Sequence, residues 1–307
     1  MDLEKDVFLT VVIPVTRMAS RLQNLQKTLQ RCSENRVQVV LVHDVQDTET
    51  GPELQNLVRD LSQSDSSFIT LIEKYCGSPG LARNLGKELV FTEWVAFWDS
   101  DDIADVSKFL LMIEEANESA DQIAVGGYRV IDSNSMLPIS IREFSGKKAK
   151  REAEIFLNPG IWRWGFQNDL IAGINFQDFK MGEDQIFLLD SSVLDHRIYY
   201  SPNVVYDYFV NSKFQSTNNR LSFSRFGAVT SYILASFEGK SRKMKKFTIV
   251  VLLRLFITGI RKCNFIDKVD LIRQFSSQFL VIGFHNPWRI SSALWLVAKG
   301  NIRKVIK

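Results

Sequence analysis

The sequence predicts an α/β fold: a mostly parallel sheet flanked by helices, with a basic helical extension at the C-terminal end. Three observations carry this. Apolar runs rich in β-branched residues alternate with helical stretches between residues 8 and 98, the β-α-β order of a parallel sheet with right-handed crossovers. One run, Trp94-Val-Ala-Phe-Trp-Asp-Ser-Asp-Asp102, ends abruptly in three carboxylates, as a strand does where it meets a ligand edge. Charge is also unevenly divided. Residues 241–307 hold 14 Lys and Arg against 2 Asp and Glu, a net of +12, so the first 240 residues carry −9 of the chain's +3.

The elements follow in order. Phe8 to Val15 is near-continuously apolar and reads as a central parallel strand. Leu22, Leu25 and Leu29 recur at helical spacing. Val37 to Val42 is a second strand ending at His43 and Asp44, and a helix around Glu53 to Leu61 leads to a third, Phe68 to Ile72. Gly77-Ser-Pro-Gly80 opens a helix, with Pro79 in its first turn. Trp94 to Trp98 is the fourth strand, and a helix runs from Asp102 to about Ala116. Gln122 to Ile131 and Tyr199 to Val210 are later strands, and Gly182-Glu-Asp-Gln begins a helix through Leu189. Residues 132–155 are polar and unassigned.

Asp99, Asp101 and Asp102 repel one another, and such a cluster needs a cation or a raised pKa. Carboxylate oxygens suit Mg²⁺ or Mn²⁺, often completed by substrate phosphates, so the run points to metal-assisted chemistry on a phosphorylated substrate. The alternative is an acidic loop with Asp102 as the N-cap of the next helix. Cys32, Cys76 and Cys263 are scattered, with no CxxC pair, and His43, His196 and His285 are dispersed. That excludes a disulfide framework and a zinc site as expectations, and favours a reducing cytosol. The N-terminus, Met1-Asp-Leu-Glu-Lys-Asp6, lacks the pattern of a signal peptide.

Beyond residue 215 the pattern is helical. Phe247 to Ile260 is apolar apart from Arg254 and spans about 21 Å as a helix, short of a bilayer core of about 30 Å. Arg242-Lys-Met-Lys-Lys246 and Arg261-Lys262 flank it. Asn286-Pro287 reads as a helix start, followed by Trp288, Leu294, Trp295 and Val297 mixed with Arg289, Lys299, Arg303, Lys304 and Lys307. This composition suits a helix lying on an anionic membrane surface, contacted through 241–307; the alternative is a core helix packed on the rest of the protein. Nucleic-acid binding is disfavoured by the long apolar stretches.

Together the motifs resemble the family 2 glycosyltransferases. Val11-Val-Ile-Pro-Val15 is similar to that family's first strand, and Gly77-Ser-Pro-Gly-Leu-Ala-Arg-Asn-Leu-Gly86 to its Gly-x-x-x-Ala-Arg-Asn-x-Gly helix start. Phe97-Trp-Asp-Ser-Asp-Asp102 resembles its Asp-x-Asp strand end, and Gly182-Glu-Asp-Gln-Ile-Phe187 its Glu-Asp motif. The resemblance covers about residues 7–215 and implies a GT-A fold. It implies a catalytic region 1–215, with a nucleotide-sugar half to about 105 and an acceptor half beyond, before the helical basic region 216–307.

The resemblance also implies the chemistry: inverting transfer from a nucleotide-diphospho sugar, a UDP-sugar by expectation, to a carbohydrate or lipid-linked glycan. Asp101 with Asp99 would hold Mn²⁺ or Mg²⁺, Asp184 would act as general base, and Glu183 would orient the acceptor. The donor would be met by Pro14 and Val15 at the first strand end, by Asp44, by Arg83 and Asn84, and by Asp99 and Ser100. The family often shows Asp-Asp-Gly-Ser where this chain has His43-Asp-Val-Gln-Asp47. Arg17 is a weaker donor-site candidate, and Tyr206 and Tyr208 are candidates to line the site. Trp162, Trp164 and Phe166 form either an acceptor platform or core. The setting expected is surface polysaccharide or lipopolysaccharide assembly, with the enzyme cytoplasmic and peripheral at the inner face of the cell membrane. Two rival readings stand beside this one: an Asp-dependent phosphohydrolase, and a non-catalytic glycan-binding scaffold on the same fold.

Overall fold

The structure is a computed structural model and describes residues 8–19, 21–65, 68–144, 148–179, 181–211 and 223–285. It divides into two compact units. The first comprises residues 1–145, 160–178 and 196–215, and the second 146–159, 179–195 and 216–307.

The first unit holds the sheet. Strands β1 (Leu9–Val15), β2 (Gln38–Asp44), β3 (Ile69–Lys74) and β4 (Trp94–Phe97) pair in parallel in the order β3-β2-β1-β4. Every residue of β1 and β4 is buried, which is why their sequences run apolar without alternation. The crossovers are α1 (Gln23–Glu34), α2 (Thr50–Asp65) and α3 (Pro79–Lys87). The sheet continues through β8 (Trp164–Gln167), antiparallel to β4, then β6 (Ile123–Asp132) and β9 (Ile198–Val210), and ends at the two-residue β5 (Ile103–Ala104). β7 (Pro138–Arg142) pairs with β6 alone, giving nine strands among the described residues. Helix α4 (Val106–Glu118) packs on β6 and β9, and the short α6 (Asn168–Ile171) follows β8.

Two local expectations need correcting. The fourth strand ends at Phe97, although the Trp98 N–H still donates to the Val12 carbonyl at 3.1 Å. Asp102 is not a helix cap. The chain first makes β5, and the helix starts at Val106 with Asp105 as its N-cap, accepting from the Lys108 N–H at 3.3 Å.

The second unit is helical: α5 (Lys148–Leu157), α7 (Glu183–Asp190), α8 (Phe223–Ala235), α9 (Arg242–Lys262) and α10 (Phe265–His285). The apolar run from Phe247 lies in α9, which packs against α5, α7, α8 and α10. Phe247, Ile249, Val250, Val251 and Leu252 are all buried there, and Phe247 stacks on Phe156 at 5.3 Å. No described helix is long and apolar enough to cross a membrane. Arg242 and Lys243 are exposed at the start of α9. The stretch from Asn286 to Lys307, with its Trp and basic residues, lies outside the described residues. All three cysteines are free and buried.

Candidate active site

The carboxyl ends of the parallel strands gather four of the sequence motifs within the first unit. Pro14 and Val15 end β1 as buried residues, and the exposed Arg17 follows with a left-handed φ of 56°. That turn is fastened by Asp47, whose carboxylate accepts from the Arg17 backbone N–H. At the end of β2 the Asp44 carboxylate accepts from the Gln46 N–H at 3.1 Å and from the Gly77 N–H at 2.9 Å. Gly77 sits at φ +72°, a conformation that glycine adopts without strain, and so Asp44 is tied to the start of α3. His43 is buried beside it, with Nε2 3.1 Å from the Asp47 carbonyl and Nδ1 3.4 Å from Glu73. This loop is thus held by its own side chains where the resembling family shows Gly-Ser.

Helix α3 begins as the sequence predicts. Ser78 is the N-cap, accepting from the Leu81 N–H at 3.4 Å, and Pro79 is the first helical residue. Gly86 ends the motif because the helix lies tight on the sheet. A Cβ there would stand 2.4 Å from Val12 Cγ1 and 3.1 Å from Val42 Cγ2.

Arg83, 2% exposed, donates from a guanidinium nitrogen to Asp99 at 2.7 Å. Asn84 donates to the Phe176 carbonyl and accepts from the Phe176 N–H, each at 2.8 Å. Its amide is a clamp on that loop.

The three carboxylates after β4 have different environments. Asp99 is paired with Arg83, and its N–H donates to the Tyr206 hydroxyl at 3.0 Å. Ser100 is buried between them in sequence, at 8% exposure. Burial, and then the charge of Asp99, push the Asp101 carboxyl above its ordinary pKa, with Arg21 acting in the opposite sense. Asn24 donates to the Asp101 carbonyl at 3.4 Å. Asp102 is 3% exposed, and one oxygen accepts from the Phe209 N–H at 2.7 Å. Burial, then Asp101 and Asp99, raise its pKa well above the usual range.

The aromatic candidates separate. Trp164 and Phe166 are fully buried core residues. Trp162 instead stacks on Tyr206 at 4.6 Å and on Tyr208 at 5.2 Å, with the edge of Tyr128 at 4.8 Å. Burial first, and then the field of the aspartates, raise the Tyr206 and Tyr208 phenols above their ordinary pKa. Trp162 therefore belongs to an aromatic layer next to the acidic loop.

Glu183 and Asp184 belong to the second unit. They form the first turn of α7, half-buried, after Gly182 at φ +75°. Two carboxylates there suit the positive end of the helix dipole.

Sequence reasoning missed Lys87 and Phe176. Lys87 is 8% exposed, and its ammonium donates to a ring of backbone carbonyls. The signal was present: Arg83 and Lys87 are spaced i,i+4, so they share one helix face, and a buried face bearing two cations demands oxygen partners.

The donor chemistry of the acidic loop fits a divalent cation. Asp99 and Asp101 offer hard oxygens, and Asp101 lies in the field of Asp99. No group of three or more His, Cys, Asp or Glu able to hold a metal occurs among the described residues.

Several solved structures share this architecture. The crystal structure of S. aureus TarS 1–349 in complex with UDP-GlcNAc superposes with a TM-score of 0.63 at 17% identity, over 83% of this chain and 73% of that one. The UDP complex of the same protein gives 0.60 at 17% identity, over 83% and 72%. The mannosyltransferase PcManGT from Pyrobaculum calidifontis, in complex with GDP-Man and Mn²⁺, gives 0.54 at 13% identity, over 97% and 86%. The α/β fold with a mixed sheet flanked by helices is thus one that glycosyltransferases use. A sequence search of curated proteins returns no match. The family model described as Glycosyl transferase family 2 matches residues 10–174, more than half of the chain, and the protein belongs to that glycosyltransferase family.

Proposed function

We propose that the protein transfers a sugar from a nucleotide-diphospho sugar to a carbohydrate or lipid-linked glycan, with inversion at the sugar carbon. The observation that carries this is the acidic loop after β4, faced by the Arg83 guanidinium 2.7 Å from Asp99. Cations and acids side by side suit a diphosphate: Arg83 attracts the anion, while Asp99 and Asp101 would hold the Mg²⁺ or Mn²⁺ that accompanies it. Bound there, the metal would act as a Lewis acid, stabilising charge on the departing diphosphate.

The roles of the chain's own residues follow. Asp44, at the end of β2 and fixed by Gly77, is the acceptor we assign to the nucleobase. The Pro14–Val15 backbone would line the nucleotide, with Ser100 beside the carboxylates. TarS was solved with UDP-GlcNAc and with UDP, in keeping with a uracil nucleotide, and PcManGT with GDP-Man and Mn²⁺, in keeping with a metal but with guanine as its base. Asp184 is the general base we assign, taking the proton of the acceptor hydroxyl as the new C–O bond forms, with Glu183 orienting that acceptor.

The basic region 241–307 would hold the enzyme at an anionic membrane surface on the cytoplasmic side, where lipid-linked acceptors of surface polysaccharide assembly are found. Because the apolar residues of α9 are buried, that contact would be electrostatic at Arg242 and Lys243.

The test is thermal stability against a panel of nucleoside diphosphates, with and without Mn²⁺. A ligand that binds only the folded state raises the melting temperature by mass action. A metal-dependent rise with UDP that vanishes in Asp101→Asn is the expected result; no rise with any nucleotide refutes the donor site. Asp184→Asn should keep the UDP shift while lowering kcat by about a hundredfold or more, the scale of a lost general base.

A further inference from the structure

We propose that Phe176 and Lys87 are positioning residues that set how firmly Arg83 neutralises Asp99, and so divide the affinity of the donor site between cation and diphosphate. The proposal rests on the donor-site reading above and adds residues that lie outside every motif of that site.

Helix α3 grips the segment 171–176 at three points. The Lys87 ammonium donates to the carbonyls of Ile171 at 3.1 Å and Ala172 at 3.5 Å, to that of Ile174, and to Asn175 Oδ1 at 3.0 Å. Asn84 engages both the N–H and the carbonyl of Phe176. The Phe176 ring lies with its centroid 5.3 Å from the Arg83 guanidinium carbon, within range of a cation–π contact. The ring is itself 2% exposed and meets the edge of Phe97, the last residue of β4, at 4.9 Å. Burying a lysine among carbonyls is costly, and desolvation lowers the pKa of Lys87. What the arrangement secures is the place of one ring against one guanidinium.

That placement has an electrostatic consequence. With Arg83 held on Asp99, the acidic loop carries less net negative charge and the diphosphate has a cation to meet. Loosening Arg83 exposes the Asp99 charge. A cation then gains affinity and an anion loses it. A segment that merely supported the fold would weaken both ligands together when disturbed.

The experiment titrates Mn²⁺ alone, and UDP at saturating Mn²⁺, into wild type, Phe176→Leu, Lys87→Met, Arg83→Gln and the Arg83→Gln/Phe176→Leu double variant, by calorimetry. In Phe176→Leu and Lys87→Met the Mn²⁺ affinity should rise and the UDP affinity fall, each by about two- to tenfold, the scale of a partly desolvated cation–π contact. Tightened Mn²⁺ binding also certifies that the variant is folded. The double variant should match Arg83→Gln, because the ring acts through the guanidinium. Weakening of both ligands, no change in either, or a full added effect of Phe176→Leu in the Arg83→Gln background would each overturn the proposal while leaving the donor site standing. Wild type that binds neither Mn²⁺ nor UDP in the presence of Mn²⁺ would refute the donor-site reading, and this proposal with it.

Discussion

Three carboxylates within four positions meet three different fates, decided by residues far away in sequence. Asp99 is claimed by Arg83, Asp101 is left in the field of Asp99, and Asp102 is buried against the Phe209 N–H. The acidic cluster is legible in the sequence because nothing apolar interrupts it. The division of labour is not, since it depends on α3 and β9 arriving at the same edge. Asp102 shows the difference: its local sequence suits a helix cap, but its carboxylate serves strand β9. Asp102→Ala should cost about 1–3 kcal/mol, the penalty for stranding a buried N–H, read from urea unfolding. Asp102→Asn, which keeps an oxygen acceptor and carries no buried charge, should cost clearly less. Equal losses in the two variants would show that the Phe209 bond is not what Asp102 supplies.

Helix α3 is the element whose sequence motif can be translated into physics residue by residue. Ser78 and Pro79 start it, Arg83 faces Asp99, Asn84 clamps Phe176, and Gly86 allows contact with β1 and β2. The start of the helix was legible because capping is local. The direction of each side chain was not, because it depends on which element lies opposite. Gly86→Ala should therefore destabilise the protein even though alanine favours helices, by about 1–3 kcal/mol, because the 2.4 Å approach to Val12 forces the helix or the strand to shift. A thermal melt that is unchanged or higher would mean that α3 can lift from the sheet without cost. Helix α9 makes the complementary point. Its apolar composition announces a helix, but lipid and protein interior ask for the same residues, and only the burial of Phe247 through Leu252 identifies the interior as its environment.

At the scale of the whole molecule, the parallel half of the sheet was legible from β-α-β alternation, since each crossover fixes the next strand. The remainder was not: β8 inserts between β4 and β6, and β9 lies parallel to β6, pairings with no local signal. Those pairings bury Asp102 and half-bury Asp101, and burial makes the stability of the protein depend on pH. Asp101 and Asp102 both have raised pKa values in the fold, first through desolvation and then through the charge of Asp99 on Asp101 and of Asp101 and Asp99 on Asp102. A carboxylate with a raised folded pKa binds its proton more tightly when folded, so these two groups add stability to the apo protein as pH falls from neutral through the folded values, until the unfolded carboxylates also protonate. A bound divalent cation reverses this for Asp101, because it needs the ionised form and competes with the proton. The gap in melting temperature between Mn²⁺–UDP-loaded and apo protein should therefore be widest near neutral pH. It should narrow on acidification at a higher pH than an unperturbed aspartate would set. In Asp101→Asn the gap should be absent at every pH, and the apo protein should lose part of its acid-side gain. A gap independent of pH down to the ordinary carboxylate range would mean that the cation is not held by Asp101.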